Sequence, residues 1–186
     1  KLTINELLIA AEPDLVLTFS ELIVELDVNP LFQTVDDLPP ASLETPTIVD
    51  CVANEPAFYQ FSSGTTGLKK CVPISFDVLE WQVSRYSLAI NLSERDRIIS
   101  WLPIYHDMGL IACFMLPLLT GTPLVAMSPF EWVRDPVMFL KAFSHYRGTL
   151  GWAPNFCFNL LATTVRDSDL ETLDLTSVRG LINCSE

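Results

Sequence analysis

The sequence predicts an α/β protein with a mostly parallel sheet and helices on both faces. Apolar segments of strand length alternate with segments of helical spacing about five times along the 186 residues, a pattern typical of parallel sheets. The strand segments are apolar throughout rather than half polar, which indicates burial on both faces. Apolar residues make up 49% of the chain and charged residues 18%, so we expect a substantial core and exclude overall disorder.

The first 55 residues carry the weaker pattern. Four elements are expected there: a helix over Thr3–Ala11, a strand over Asp14–Thr18, a helix from Ser20 as N-cap toward Leu26, and a short strand near Phe32–Val35. Residues 30–54 are rich in Pro, Asp, Ser and Thr, which are turn and loop residues. Most of that stretch is therefore predicted to be a surface connection.

From residue 56 onward the alternation is regular. Strands are predicted over Pro56–Phe61, Arg97–Leu102, Pro123–Met127, Thr149–Trp152 and Val178–Cys184. Helices are predicted over Ser75–Leu92, over Gly109–Leu119, from Asp135 as N-cap and Pro136 as first helical residue to Tyr146, and over Pro154–Val165.

The stretch from Met108 to Phe130 contains no charged residue and is long enough to suggest a membrane helix. Pro117, Gly121 and Pro123 interrupt it, however, and Thr120 to Pro123 has the composition of a turn. We therefore predict a buried helix followed by a buried strand, and no membrane span.

The net charge of −12 argues against nucleic acid or an anionic membrane surface as the main partner. The five cysteines are widely spaced without a C-x-x-C pair, which disfavours a structural zinc site. Most lie in apolar surroundings and are predicted to be buried free thiols in a reducing compartment, so a cytoplasmic location is expected.

A loop rich in glycine and hydroxyl groups follows the strand Pro56–Phe61. It contains Ser62, Ser63, Gly64, Thr65, Thr66, Gly67, Leu68, Lys69 and Lys70. The two glycines let the backbone turn its N–H groups toward one point, the four hydroxyls add donors, and Lys70 adds positive charge. A polyphosphate needs these groups. An ordinary turn is the alternative, but this run of donors directly after a strand favours phosphate binding.

The spacing differs from that of a Walker loop. It resembles the S-S-G-T-T-G-x-P-K-G motif of the acyl-adenylate-forming enzymes, which include acyl-CoA synthetases, fatty acyl-AMP ligases and the adenylation domains of peptide synthetases. Lys69 stands where the family usually has proline, and Cys71 where it usually has glycine. Neither change removes a donor, so phosphate binding remains the prediction.

A second motif runs from Trp101 to Leu110, W-L-P-I-Y-H-D-M-G-L. It resembles the W-L-P-x-Y-H-D-M-G-L-I stretch of fatty acyl-AMP ligases and related acyl-CoA synthetases. The resemblance implies that Tyr105, His106 and Asp107 line the carboxylate end of the acyl pocket, with His106 beside the substrate carboxylate and α-phosphate. The alternative is structural: Asp107 caps the next helix and His106 bonds nearby backbone.

Two further stretches resemble the same family. Thr149 to Phe156 is similar to a strand and acyl-tunnel wall, which implies substrate contacts for Trp152, Pro154 and Asn155; packing of core aromatics is the alternative. Leu181 to Glu186 is similar to the segment that lies against adenine, which implies a nucleotide-binding role for Asn183, Cys184, Ser185 and Glu186. Because ligands bind beyond the carboxyl ends of parallel strands, these polar loops and the phosphate loop are expected at one edge of the sheet.

The resemblance implies ATP-dependent activation of a carboxylic acid, expected to be a fatty acid, to an acyl-adenylate that is passed to coenzyme A or a carrier-protein thiol. Ser62 to Gly67 and Lys70 would hold the phosphates, Thr66 would contact Mg²⁺, and His106 and Lys70 are the candidate catalytic residues. Catalysis would rest on positioning and on neutralisation of phosphate charge.

In domain terms, residues 1–186 are expected to form one piece of the AMP-binding N-terminal domain, with 56–186 as the phosphate-loop and acyl/adenine subdomain. The C-terminal lid domain has no counterpart in this sequence, so this piece alone is predicted to be inactive. Two alternatives stay open, a non-catalytic nucleotide- or acyl-binding module and a degenerate structural remnant. Exposed strand edges also predict self-association.

Overall fold

A computed structural model describes residues 8, 11–20, 32–38, 50–61 and 71–183. The chain divides into two compact units, Lys1–Asp77 and Val78–Glu186. The predicted helices over Thr3–Ala11 and from Ser20 to Leu26 lie mostly outside the described residues.

The first unit contains a short parallel pair, β1 (Val16–Thr18) and β2 (Phe32–Thr34). The Thr34 hydroxyl accepts a hydrogen bond from the Asp37 amide at 3.2 Å. It thereby caps the single 3-10 turn Val35–Asp37. Both strands were expected from the sequence, and each is shorter than predicted.

The first unit also contains an antiparallel hairpin. Its strands are β3 (Pro56–Phe61) and β4 (Cys71–Ser75), with Phe61 opposite Cys71 and Phe58 opposite Ile74. Sequence reasoning missed β4, which is short and carries Pro73, a residue that strands tolerate mainly at free edges. The candidate phosphate loop is therefore the connection between two antiparallel strands rather than a strand-to-helix turn.

Helix α1 (Phe76–Ala89) follows β4 directly. The second unit then continues with β5 (Ile98–Ser100), α2 (Asp107–Leu110), a π turn (Ile111–Met115), α3 (Leu116–Thr120), β6 (Leu124–Ala126), α4 (Pro129–Arg134), α5 (Val137–Tyr146), β7 (Leu150–Ala153), α6 (Asn155–Thr164), α7 (Asp167–Leu170) and β8 (Gly180–Asn183). The four strands form a parallel sheet in the order β6-β5-β7-β8. The predicted fold class is confirmed.

Helices pack on both faces of this sheet because successive strand residues point to opposite sides. On one face, Ile99 and Ala153 join a buried cluster with Phe139 and Phe143 of α5. On the other face, the fully buried Trp152 donates its indole N–H to the Tyr86 hydroxyl of α1. Both faces of the central strands β5 and β7 are therefore covered, as the uniformly apolar strands predicted.

The uncharged run folds as α2, the π turn, α3 and β6. Pro117 has no N–H to continue the α-helical ladder, and the ladder widens just before it: the Leu116 amide bonds the Ile111 carbonyl, five residues back. Gly121 ends α3 with φ of 70°, a conformation that glycine adopts without strain. Of the helices in the described residues, none is long and apolar enough to cross a membrane.

Three details differ from the sequence prediction. Helix α5 begins at Val137 with Pro136 at the N-cap, and Asp135 does not cap it; its carboxylate instead contacts Lys141 Nζ at 3.3 Å. Helix α4 was not predicted, because its six residues are too few to show a clear helical period. The strand β6 is a half-buried edge strand rather than a buried one.

Candidate active site

The strand order of the sheet identifies the place where a ligand would bind. From β5 the chain moves to β6 on one side, then crosses back to β7 on the other side of β5. The order therefore reverses between β5 and β7. In open parallel sheets, ligands bind beyond the carboxyl ends of the strands at such a switch point. The segments that follow β5 and β7 begin at Trp101 and Pro154, and both belong to predicted site motifs.

The segment after β5 forms a tight corner. Trp101 is buried, and the Leu102 amide donates to the Ser100 hydroxyl at 3.1 Å, which anchors the start of the corner. The Pro103 carbonyl accepts a hydrogen bond from the His106 amide at 3.1 Å, which closes a turn. Helix α2 begins directly after it. The turn leaves Tyr105 84% exposed, so its ring stands in solvent at the carboxyl edge.

His106 and Asp107 form a contacting pair at this corner. The distance from His106 Nδ1 to Asp107 Oδ1 is 2.6 Å, and the two side chains are 53% and 68% exposed. Both atoms also lie within hydrogen-bond distance of the Met108 amide at the start of α2. The Nε2 atom, on the other side of the ring, is the His106 nitrogen that remains for a ligand.

Asp107 also holds the start of α2. Its Oδ1 accepts from the Met108 amide at 2.7 Å, whereas the distance from that amide to His106 Nδ1 is 3.4 Å. His106 is the N-cap residue of α2, and the side chains of His106 and Asp107 both accept from this amide in the first turn. Both structural roles weighed from sequence are therefore present, and the His106 side chain nevertheless stays 53% exposed.

The segment after β7 brings together two other predicted residues. Asn155 is the exposed first residue of α6, and its Oδ1 lies 3.5 Å from Nδ2 of Asn183 at the end of β8. Pro154 before it is buried. Trp152 is fully buried on β7, and its polar atom is satisfied by Tyr86. The structure therefore places Asn155 and Asn183 at the edge and Trp152 in the core.

A cluster of aromatic rings lies behind the corner. Trp101 and Trp132 stack at 3.8 Å between ring centroids, and Phe156 packs edge-on against both at 6.0 and 6.1 Å. Phe156 is half exposed. Sequence reasoning missed Trp132, because α4 had not been predicted. Burial raises the pKa of the neighbouring Cys157 thiol to about 11, so this cysteine is a packing residue and not a nucleophile.

The remaining predicted site residues lie outside the described residues. They are Ser62, Ser63, Gly64, Thr65, Thr66, Gly67 and Lys70 of the phosphate loop, and Cys184, Ser185 and Glu186. Their roles stay predictions. Of the described cysteines, Cys113 and Cys157 are buried and Cys51 and Cys71 are exposed, so the expected burial of these thiols holds for two of the four.

An ionic network that was not predicted lies at the opposite, amino edge of the sheet. Arg179 donates through Nε and Nη2 to the two oxygens of Asp96, at 2.6 and 2.8 Å, and Asp96 also accepts from the Thr149 hydroxyl at 2.7 Å. These hydrogen bonds hold the pKa of Asp96 well below its usual range, and those from Arg179 contribute most. Burial acts in the opposite direction and raises this pKa. The partners are 83 positions apart, so no local pattern signals the pair.

Comparisons with known proteins agree with this geometry. A model of the AMP-binding enzyme family matches residues 5–186. A medium-chain fatty acid–acyl-carrier-protein ligase of Teredinibacter turnerae is 36% identical over 130 residues, which cover 70% of this chain and 20% of that protein. A long-chain fatty acid–AMP ligase of Mycobacterium marinum is 34% identical over 140 residues, which cover 72% of this chain and 24% of that protein.

Solved structures match as well. The crystal structure of a fatty acid AMP ligase from Legionella pneumophila superimposes with a TM-score of 0.86 at 29% identity, covering 97% of this chain and 32% of that one. A fatty acyl-adenylate ligase of the same organism, solved in complex with acyl adenylate and pyrophosphate, gives 0.81 at 28% identity. The chain thus spans a third or less of the length of these proteins.

Proposed function

Because this chain belongs to the AMP-binding enzyme family, we propose that the protein it represents activates a fatty acid with ATP. A carboxylate oxygen forms a bond to the α-phosphorus, the bond between that phosphorus and the bridging oxygen breaks, and pyrophosphate leaves with the electron pair. The product is an acyl-adenylate. A thiolate then attacks the acyl carbonyl and AMP leaves, which gives a thioester.

The observation that carries this proposal is the corner after β5. It sets an exposed His106, in contact with Asp107 through Nδ1, beyond the carboxyl end of a strand at the switch point of the sheet. A ring N–H of this histidine directed at the ligand would stabilise the negative charge of the α-phosphate oxygens in the transition state. Asn155 and Asn183 add amide donors at the same edge.

The phosphate loop completes the proposal from its sequence. Ser62, Ser63, Thr65 and Thr66, the amides around Gly64 and Gly67, and Lys70 would hold the β- and γ-phosphates, and Thr66 would contact Mg²⁺. Cys184, Ser185 and Glu186 would lie against the adenine together with Asn183. When bound, Mg²⁺ would supply positive charge that neutralises part of the phosphate charge, which an acidic chain does not otherwise attract.

The acyl acceptor is proposed to be a carrier-protein thiol or that of coenzyme A, with a cytoplasmic location. The relative from Teredinibacter turnerae is named for a medium-chain acid and an acyl carrier protein, which favours a carrier protein. Self-association also stays a prediction, supported by exposed apolar side chains such as Trp81, 60% exposed, and Phe130, 75% exposed. Sedimentation velocity over a range of concentrations tests it.

The test is acid-dependent exchange of labelled pyrophosphate into ATP by the whole protein, across saturated fatty acids of increasing length. Lys70→Ala should lower the exchange rate by about 100-fold, because the charged partner of the phosphates is lost. The matched control is Lys141→Ala, which removes the same charge from an exposed pair on α5 and should leave exchange unchanged.

Three outcomes separate the candidates. Exchange that depends on a fatty acid and on Lys70 supports the ligase. ATP binding without exchange for any acid would favour the nucleotide-binding module instead. Equal ATP affinity in the parent protein and Lys70→Ala, again without exchange, would favour the structural remnant.

A further inference from the structure

The glycine of the second motif is buried where helix α2 meets the corner. A Cβ atom built on Gly109 would lie 2.2 Å from the carbonyl oxygen of Pro103, 2.8 Å from its carbonyl carbon and 3.2 Å from the carbonyl oxygen of Leu102. All three atoms belong to the backbone, so no change of side-chain rotamer relieves the contact. Glycine is therefore the residue that lets the first turn of α2 rest on the carbonyls of the corner.

The elements on either side of this contact are anchored. On the strand side, Trp101 is 5% exposed and stacks on Trp132. On the helix side, Ala112, Cys113 and Leu116 are buried. Between them, residues 104–107 are exposed. A side chain at position 109 would therefore displace the exposed turn that carries His106 and Asp107. The packed residues on the strand side and on the helix side would stay in place.

We infer that Gly109 is a positioning residue: its missing side chain fixes the place of His106 at the carboxyl edge of the sheet. The inference rests on the proposed function. Ordinary contact begins near 3.4 Å, so an alanine would require a shift of about 1 Å, and a misplacement of that size can lower catalysis about 100-fold. Gly109 itself contacts no reacting atom in this scheme.

The experiment compares Gly109→Ala with Gly121→Ala in the whole protein. Gly121 ends α3, and a Cβ there meets nothing within 4 Å although φ is 70°. Both variants add one methyl group to the same helical segment, but only Gly109→Ala touches the corner. We expect Gly109→Ala to lower kcat for acyl-adenylate formation about 100-fold per folded molecule with KM for ATP within about twofold. Gly121→Ala should lower stability without changing kcat.

A second variant keeps the inference testable if Gly109→Ala does not fold. Pro103→Gly in the Gly109→Ala background frees φ at the clashing residue, so the turn can move aside and the protein should fold while kcat stays low. Recovery of folding together with full kcat would overturn the inference. So would a Gly109→Ala protein that folds and retains full kcat.

Two results distinguish this inference from the function on which it rests. If the parent protein shows no acid-dependent exchange, the proposed function fails before Gly109 is tested. If the parent is active, the decisive measurement is Gly109→Ala combined with His106→Ala. Because Gly109 acts through His106, the double variant should be no slower than His106→Ala alone, and a further 100-fold loss would contradict the inference.

Discussion

The two edges of the parallel sheet differ in how far their charged side chains are buried. At the amino edge, Asp96 is 3% exposed and receives hydrogen bonds from Arg179, Thr149 and Ser93. At the carboxyl edge, Tyr105, His106 and Asp107 are all more than half exposed. The carboxylate of the first edge is buried among its partners, whereas the contacting pair His106 and Asp107 of the second edge is exposed.

This difference separates stability from function within one sheet. The amino edge borders an open cavity of about 420 Å³ lined in part by Asp96 and Thr149, but the Thr149 hydroxyl already donates to Asp96, and Asp96 also accepts from Arg179. The His106 and Asp107 side chains at the carboxyl edge are instead more than half exposed. We therefore expect substitutions at the amino edge to change the free energy of unfolding and those at the carboxyl edge to change activity.

The largest expected effect is at the amino edge. Asp96→Ala removes the carboxylate that holds Arg179 and Thr149, and it leaves a buried site with unpaired donors. Breaking a buried pair in this way costs about 3–5 kcal/mol, and the lower end applies because Arg179 is 38% exposed. Urea denaturation monitored by tryptophan fluorescence measures the change. A loss below about 1 kcal/mol would mean that the network does not stabilise the unit.

The next effect is at the carboxyl edge. His106→Ala should lower acid-dependent pyrophosphate exchange by about 100-fold, equivalent to about 2.7 kcal/mol in the barrier. The free energy of unfolding should change by less than about 0.5 kcal/mol, because the side chain is exposed. The other histidine, His145, is exposed at the end of α5 and serves as the control.

His145→Ala should leave both exchange and stability unchanged. If His106→Ala instead lowered stability and kept full exchange, it would contradict the proposal that the carboxyl edge serves activity rather than stability.

The two edges also differ in what their sequences disclose. The carboxyl edge could be predicted, because Trp101 to Leu110 is one continuous motif and the alternation of apolar segments places it after a strand. The contact of His106 Nδ1 with Asp107 and the closeness of Gly109 to Pro103 could not, because they depend on backbone geometry.

The amino edge carries no such local pattern. Asp96 and Arg179 meet because β5 and β8 run parallel on either side of β7, a consequence of topology rather than of spacing. The hairpin partner β4 was hidden by Pro73, and Trp152 could belong to either a pocket or the core until its position was known. The position of a continuous motif after a strand was thus predictable, and contacts between distant segments were not.

Lowering the pH should also weaken the hydrogen-bonded network of the amino edge, by less than Asp96→Ala does. The pKa of Asp96 is depressed in the folded protein, chiefly by the hydrogen bonds from Arg179. The unfolded chain takes up this proton near pH 3.9 while the folded protein still excludes it, so the stabilisation is present above that pH and is lost as pH falls. We expect a loss of about 1 kcal/mol from this group by pH 3.

Asp96→Asn isolates that contribution. The difference in unfolding free energy between the parent protein and Asp96→Asn should be constant from pH 7 to about pH 5 and should narrow below about pH 4. A difference that widened as pH fell would have the wrong sign for a depressed pKa.

The smallest expected effect comes from an ion pair on the carboxyl side of the sheet, between Asp135 and Lys141. Its atoms lie 3.3 Å apart, but the side chains are 46% and 57% exposed, so water screens the charges and each side chain loses rotamer freedom. Asp135→Ala should therefore cost less than about 1 kcal/mol, and 1 M salt should remove the difference. The two ion pairs differ in burial and in the number of hydrogen bonds they make. If Asp135→Ala cost as much as Asp96→Ala, neither of these features would decide how much a charged pair contributes to stability.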